Sequence, residues 1–234
     1  MTAHSDHEHR DSRRSRWPNR LQRARQALQR GGPLGLMAAV FRQYVLDYRR
    51  FYLYERSHPS WPEEEFRPRL DSFEECFITS NHEADALARS HEDLRDAIPQ
   101  ARRGLDKGAV AFCVYVGREL AHVAWLATSE DGRRALDHLG FEVRFDRGEA
   151  WTGSAWTAPA YRGLGLLTYG SYRRFQRLSH AGFHRSRGAV ETDNIASQRT
   201  NEKFNPRIYA TGRQWRLFRW RKWSERGTPP REES

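Results

Sequence analysis

Short runs of β-branched and aromatic residues, bounded by glycine, proline and polar turns, recur along the chain and predict a domain rich in β-strands. Gly117 and Arg118 separate two of the strongest runs by the length of a tight turn, which predicts an antiparallel hairpin. The predicted strands are residues 72–79 (SFEECFIT), 109–116 (AVAFCVYV), 120–128 (LAHVAWLAT), 149–157 (EAWTGSAWT), 188–193 (GAVETD), and a final hairpin of 207–212 (RIYATG) with 214–220 (QWRLFRW).

Apolar positions spaced three and four residues apart predict helices among these strands. Residues 166–178 form one such helix, and Gly182 follows it where a C-cap belongs. Asn194 and Ser197 open a second, short helix that Pro206 closes.

The segment that precedes the first predicted strand is less regular. The proline-rich and acidic residues 51–71 predict an irregular connector before that strand. After that strand, residues 82–98 predict a polar helix. Before the connector, apolar residues at helical spacing predict an amphipathic helix. We expect its apolar face to dock on the body of the protein. The alternative is that this basic helix lies on an anionic membrane surface. That face consists of Leu34, Met37, Val40, Phe41, Tyr44, Val45 and Tyr48.

The composition favours a single core and an anionic partner. The chain has 234 residues, of which 38% are hydrophobic, enough for one sizeable domain with appendages. Its formal net charge of +10 favours contact with a phosphorylated cofactor, a nucleic acid or a membrane surface. Only two cysteines, no CxxC spacing and no long apolar run predict a reducing, cytoplasmic location, with peripheral membrane contact left open.

We therefore expect one main domain with extensions at both ends. The predicted segments are a disordered basic tail and short helix (1–30), a helical extension and connector (31–70), the main domain (71–225) and a flexible tail (226–234). The tail contains His4, His7 and His9, but no fourth ligand accompanies them, so we predict no metal site. The arginines and aromatics of residues 213–223 suit a final strand with alternate aromatics in the core.

The stretch PAYRGLGLLTYG, residues 159–170, joins a predicted strand to a predicted helix through two glycines. Such a turn can receive an anion, because the first N–H groups of a helix lack internal partners and carry the positive end of its dipole. The alternative is an ordinary strand-to-helix turn, since short glycine motifs are common. Gly163 and Gly165 allow close approach of a diphosphate and positive φ angles. A P-loop is disfavoured because no Gly-Lys-Ser/Thr occurs, and a dinucleotide fingerprint because Thr168 replaces its third glycine.

Residues Ala160 to Gly165 resemble the signature of the GNAT superfamily, the Gcn5-related N-acetyltransferases, which reads Gln or Arg, two residues, Gly, one residue, then Gly or Ala. Both glycines match, whereas Ala160 departs from the first position. A second block, DNIASQRTNEKFNP, resembles the Asn-containing helix of that family, with Asn201 where the family often has a tyrosine and Asn205-Pro206 in place of Gly-Phe. The resemblance spans roughly residues 72–223.

This resemblance implies a GNAT fold, α+β, with a central mixed and mostly antiparallel sheet flanked by helices and an N-terminal helical extension. It also implies acetyl-CoA as the acyl donor. The strand end Trp156, Thr157 and Ala158 is expected to pair with the pantetheine arm, and Asn194 and Ser197 to contact the cofactor. The turn is expected to hold the pyrophosphate through Arg162, Gly163, Leu164, Gly165, Leu166, Leu167 and Thr168.

The catalytic assignments that the resemblance implies are Glu149 and Ser197. Glu149 precedes Arg162 by 13 positions, the offset of the catalytic glutamate in the histone-acetylating branch, and is the candidate general base, with Glu191 and Asp193 as weaker alternatives. A strand-edge role for Glu149 remains the alternative. With Asn201 in place of a tyrosine, the general acid stays open between Ser197, Tyr161 and water.

Three functions follow from these expectations. The leading one is transfer of an acetyl group from acetyl-CoA to a primary amine of a small molecule or a protein. The alternatives are a longer-chain acyl or aminoacyl transfer at a membrane or cell-wall precursor, and a non-catalytic acyl-CoA sensor. Nucleic acid is not expected as a partner, and the sequence is silent on the oligomeric state.

Overall fold

A computed structural model describes residues 46–58, 61–217 and 220–227. The chain divides into two units. One comprises residues 50–213 and 223–234 and contains the core. The other comprises residues 1–49 and 214–222; its described part is extended, and the ring of Tyr48 lies 4.2 Å from that of Trp215.

Eight strands and six α-helices are described. The strands are β1 (Leu46–Ser57), β2 (Glu74–Ile78), β3 (Val110–Val116), β4 (Glu119–Ala127), β5 (Glu149–Thr157), β6 (Arg185–Glu191), β7 (Arg207–Leu217) and β8 (Trp220–Gly227). The helices are α1 (Asn81–Leu87), α2 (Leu94–Ala97), α3 (Ala101–Asp106), α4 (Glu130–Leu136), α5 (Leu166–His180) and α6 (Ile195–Glu202).

The strands form one mixed sheet in the order β2-β3-β4-β5-β6-β1-β7-β8. Strand β5 pairs with β6 in parallel, whereas the pairings of β1 with β6, β2 with β3, β3 with β4 and β4 with β5 are antiparallel. The predicted fold class, a mostly antiparallel mixed sheet flanked by helices, is therefore confirmed. The predicted β3–β4 hairpin through Gly117 and Arg118 is confirmed with it.

Alternation along the strands builds a core on each face of the sheet. In β3, Ala111 and Cys113 pack with Trp125 and helices α1 to α4, whereas Phe112 and Val114 pack against α5. Successive strand side chains point to opposite faces, so a fully apolar strand such as β3 must be covered on both sides. Helix α5 supplies the cover on one face, and it carries the glycine turn at its N-terminus.

The prediction of a connector over residues 51–71 is wrong at its start. Residues 51–57 belong to β1, and they pair with residues 185–191 of β6. Leu53 and Tyr54 are fully buried there. Tyr48, the last position of the predicted N-terminal helical face, also lies in β1. The other positions of that face, and the basic tail, lie outside the described residues.

The final hairpin was predicted with its turn in the wrong place. Strand β7 runs without interruption through Gly212, where the sequence predicted a turn. A Cβ at Gly212 would overlap the ring of Trp223, so this glycine makes room for an indole. The predicted alternation of core aromatics is also wrong for Trp215 and Trp220, which are 39% and 63% exposed.

Candidate functional site

The ladder between the parallel strands β5 and β6 ends after three residue pairs. These are Glu149 with Arg185, Ala150 with Ser186 and Trp151 with Arg187, and the described residues form no further pair between the two strands. Beyond them, β6 stays paired with β1 on its other side. The edge of β5 from Thr152 to Thr157 therefore faces a slot that an extended ligand can enter by strand addition.

A bulge shapes β5 along this slot. Val123 pairs with Trp156 and Trp125 with Gly153, so β5 carries one more residue than β4 between the two pairs. Ser154 lies in the bulge with φ at 47°. A bulge bends its strand and increases the local twist, and this one lies in the part of β5 beyond its last pair with β6.

The glycine turn lies at the open end of the slot. Gly163 and Gly165 adopt φ angles of 79° and 89°, and α5 begins directly afterwards without a side-chain cap. Within the described part of the chain, no acceptor takes a hydrogen bond from the amide N–H groups of residues 163 to 168. Six consecutive amides at the positive end of a helix thus remain free to bind an anion.

Arg69 anchors the turn from behind. Its backbone N–H donates to the carbonyl of Leu164 at 2.9 Å, and its guanidinium donates to the carbonyl of Gly163 at 2.5 Å. Both carbonyls are therefore held by the protein. Their anchoring leaves the amides, rather than the carbonyls, to face an incoming ligand.

The predicted strand-end residues are close to this turn, but several of their polar groups are engaged. The N–H of Ala158 donates to the carbonyl of Ala121 at 3.0 Å. Arg162 Nε donates to the carbonyl of Thr157 at 3.2 Å. Tyr161 donates its hydroxyl to Glu119 at 2.7 Å, and this carboxylate raises the pKa of the phenol. Tyr161 is thus held beside the first residue of β4.

A buried histidine fixes the end of β5. His122 on β4 is fully buried, and its Nδ1 is 2.8 Å from the hydroxyl of Thr157. Burial, with a smaller contribution from the positive charge of Arg174, lowers the pKa of His122 to about 3, so the imidazole is neutral. Its Nε2 faces Gly170 of α5, where a Cβ would lie only 2.6 Å away. Gly170 therefore lets α5 pack directly on this ring.

The second predicted block lies at the start of α6. Asn194 caps this helix, because its Oδ1 accepts a hydrogen bond from the N–H of Ser197 at 3.1 Å. Ser197 is half-buried, and its hydroxyl has no partner within the described residues. Asn201 donates from Nδ2 to the carbonyl of Ser197 at 2.6 Å. Both predicted residues thus share one helix end.

Glu149 lies at the opposite end of β5 from the glycine turn. It is buried, and one carboxylate oxygen is 2.9 Å from Arg187 Nη2 while the other accepts the N–H of Arg144 at 2.9 Å. Arg187 also contacts Glu55 at 3.1 Å. Glu149 is therefore part of a buried ion-pair network on the sheet face away from α5.

Sequence reasoning missed a buried arginine at the closed end of the slot. Arg56 on β1 is only 4% exposed. Its Nε donates to Asn201 Oδ1 at 2.6 Å, and its Nη1 lies 3.5 Å from the hydroxyl of Thr152. Burial lowers its pKa to about 10, so the guanidinium remains charged at neutral pH. No local signal marks Arg56, because its partner Asn201 lies 145 residues away in the sequence.

These features suit a ligand that has an extended, amide-containing arm and an anionic end. A free strand edge can hydrogen-bond the amides of a pantetheine arm, and the exposed amides at the α5 N-terminus suit a diphosphate.

Among the described residues, no group of three or more His, Cys, Asp or Glu is arranged to hold a metal ion. No helix in the described ranges is long and apolar enough to cross a membrane.

The comparisons with known proteins give structural matches only. No protein-family model matches the sequence, and the search of curated proteins found no match. A GCN5-related N-acetyltransferase-like protein from Streptococcus suis matches at a TM-score of 0.46 and 13% identity, over 80% of this chain and 69% of that one.

Two further structures carry the same family name. A GNAT-family acetyltransferase from Colwellia psychrerythraea has a TM-score of 0.46 and 11% identity, over 77% of this chain and 61% of that one. A GCN5-related N-acetyltransferase from Sphaerobacter thermophilus has a TM-score of 0.42 and 11% identity, over 85% of this chain and 59% of that one. This chain thus spans less than two thirds of the length of both.

Proposed function

We propose that this protein is an acyl-CoA-dependent N-acyltransferase that moves an acetyl group from acetyl-CoA to a primary amine. One observation carries the proposal: six consecutive amides, from Gly163 to Thr168, have no acceptor among the described residues and stand at the open end of the β5–β6 slot. An anion receptor and a free strand edge in series match a ligand that has a diphosphate at one end and an amide-containing arm.

The diphosphate end is the part that the geometry supports best. The helix dipole and the free amides of residues 163–168 both favour negative charge. The chain's net charge of +10 acts in the same direction at long range. Positive φ at Gly163 and Gly165 aligns the amides without a Cβ in the path of the ligand.

In the proposed reaction the amine nitrogen attacks the thioester carbonyl carbon, and the carbon–sulfur bond then breaks. An unpaired N–H on the free edge of β5 would stabilise the oxyanion that forms. Glu149 is the candidate general base. Both of its oxygens are already hydrogen-bonded, so a proton that reaches it must displace the contact with Arg187 or with Arg144.

A second candidate function is a non-catalytic acyl-CoA sensor. The engaged oxygens of Glu149 and the bonded hydroxyl of Tyr161 favour it, because neither side chain is left free to transfer a proton. Longer acyl groups and aminoacyl groups remain alternative donors for the enzyme. The N-terminal segment that would contact a membrane lies outside the described residues.

Calorimetric titration with coenzyme A and with acetyl-CoA tests the binding site, and thiol release across a panel of primary amines tests the reaction. Binding with amine-dependent thiol release supports the enzyme. Binding without release from any amine supports the sensor, whereas no heat with either ligand overturns both. Native mass spectrometry of the freshly purified protein identifies a co-purified acyl chain and so distinguishes the donors.

A further inference from the structure

Arg56 is a buried cation that has no carboxylate partner within the described residues. Its hydrogen bonds go to two neutral side chains, the amide of Asn201 and the hydroxyl of Thr152. The rings of Tyr54 and Phe175 lie 5.4 and 5.8 Å from its guanidinium carbon. Burying a charge without a counter-ion is costly. A negatively charged group placed beside Arg56 would therefore be stabilised.

The ionisable groups around Arg56 do not supply this negative charge. Burial raises the pKa of Tyr54 and raises that of Tyr209 to about 12, so both phenols are neutral. Burial lowers the pKa of His58 to about 4, so it is neutral as well, and Arg174 is a second buried cation. Glu202 lies near enough to raise the pKa of Tyr54, but it is exposed and forms no ion pair with Arg56.

Arg56 also marks the closed end of the slot. Thr152 is the first β5 residue beyond the last ladder pair, and Gly188 is the first β6 residue beyond it. Arg56 Nη1 is 3.5 Å from the Thr152 hydroxyl and 3.4 Å from where a Cβ on Gly188 would lie. The five steps from Thr152 to Thr157 span roughly 16 Å of strand, a length suited to an extended pantetheine arm.

We propose that Arg56 stabilises the negative charge that develops on the sulfur of coenzyme A when the acyl group leaves. The inference rests on the proposed function. As the carbon–nitrogen bond forms, the electron pair of the carbon–sulfur bond passes to sulfur, and the amine proton passes to the base. The thiolate then lies beside the guanidinium, which supplies the missing counter-charge, and Asn201 positions that guanidinium through Nε.

The test measures the pKa of the thiol of bound coenzyme A from the ultraviolet absorbance of its thiolate, after calorimetry has shown that the ligand binds. We expect the pKa of the bound thiol to lie below about 7.5, against about 8.5 for a free thiol. Arg56→Gln should return it to at least the free value, and Arg56→Lys should keep it low. Arg174→Gln is the control for the loss of a buried arginine. It removes another buried guanidinium, which donates to the carbonyl of Trp125, and it should leave the pKa of the bound thiol low.

Kinetics give the second readout. Arg56→Gln should lower kcat for acetyl transfer about 100-fold, the effect of losing one transition-state donor, with little change in KM. Asn201→Ala covers the case in which Arg56→Gln does not fold, because it frees the guanidinium but keeps the charge. It should raise the pKa of the bound thiol partway towards that of the free thiol.

Three outcomes would contradict the inference. A bound thiol whose pKa is the same in the parent and in Arg56→Gln overturns it while leaving the binding site intact. An Arg56→Gln defect confined to succinyl-CoA, absent with acetyl-CoA, would instead assign Arg56 to a carboxylate on the acyl group. If coenzyme A does not bind the parent protein at all, the proposed function itself fails.

Discussion

The carboxylate of Glu149 and the guanidinium of Arg187 form an ion pair 2.9 Å long, in which the two side chains are only 7% and 13% exposed. Arg187 makes the same type of contact with Glu55, at 3.1 Å. The two carboxylates are therefore matched in partner and in burial, but only Glu149 lies on β5. Comparing variants of the two carboxylates therefore distinguishes a structural role of Glu149 from a catalytic one.

Glu149→Gln and Glu55→Gln should each lower the free energy of unfolding by about 2 kcal/mol, because each removes one charged hydrogen bond to Arg187 while the other remains. Urea unfolding measures that loss. If Glu149 takes the amine proton, only Glu149→Gln should also lower thiol release, by about 10²- to 10⁴-fold at neutral pH. Equal, small activity losses in the two variants would remove Glu149 from the mechanism.

Gly163 and Gly108 offer a second matched pair. Both adopt φ of 79°, and a Cβ added to either would meet no atom of the described residues within 4 Å. Alanine at either position should therefore cost about 1 kcal/mol of stability, from the backbone conformation alone. Only Gly163→Ala places a methyl group among the free amides of the turn. We expect it to weaken binding of coenzyme A at least tenfold in calorimetry, with Gly108→Ala unchanged.

Equal affinity of both glycine variants for coenzyme A would contradict the location of the diphosphate site. The stability measurement shows whether a loss of binding is caused by unfolding of the variant. If Gly163→Ala loses binding while the two variants unfold at the same urea concentration, the loss belongs to the site and not to the fold.

The strand and turn of the site were predictable because their signals are local. Strand β5 begins and ends at the predicted residues, 149 and 157, since an apolar run there is bounded by Gly148 and Pro159. The positive φ of Gly163 and Gly165 likewise follows from residue type. Binding a ligand through main-chain amides needs only this local geometry.

The closed end of the slot was not predictable in the same way. Strand β1 contains Glu55 and Arg56, which in sequence resemble a solvated segment. Their burial depends on partners that lie 132 and 145 residues away, Arg187 and Asn201. A buried charge is acceptable only when its hydrogen bonds are satisfied, and no window of the sequence shows that satisfaction. The sequence therefore indicated the turn at which we propose that the diphosphate binds, but it missed Arg56 at the closed end of the slot.

Stability should fall as the solution is acidified from pH 7 to pH 5, and His122 should account for part of the slope. Its pKa is about 3 in the folded protein and about 6.5 when unfolded, so only the unfolded state takes up a proton in this range. The free energy of unfolding then falls by up to about 1.4 kcal/mol per pH unit below pH 6.5. His58, with a pKa of about 4, acts in the same direction.

Urea unfolding at several pH values checks this sign. His122→Asn should flatten the slope between pH 6.5 and pH 5 relative to the parent protein. An unaltered slope in His122→Asn would show that the imidazole is not held neutral in the folded protein.

Gly188 allows β6 to approach β5 at the point where their ladder ends. A Cβ on Gly188 would lie 2.5 Å from the carbonyl oxygen of Thr152, a backbone atom that cannot rotate away. Gly188→Ala should therefore push the strands apart and cost about 2 kcal/mol of unfolding free energy. Gly227 is the matched control, because it also lies in a strand but a Cβ there would meet no atom of the described part of the chain within 4 Å.

Gly227→Ala should change stability by less than about 0.5 kcal/mol in the same urea experiment. The displaced strand in Gly188→Ala also moves the closed end of the slot relative to the α5 amides, so binding of coenzyme A should weaken even where the protein is fully folded. A Gly188→Ala protein as stable as the parent would mean that β6 has room to move. The slot would then be set by the bulge of β5 at Ser154 and not by contact between the two strands.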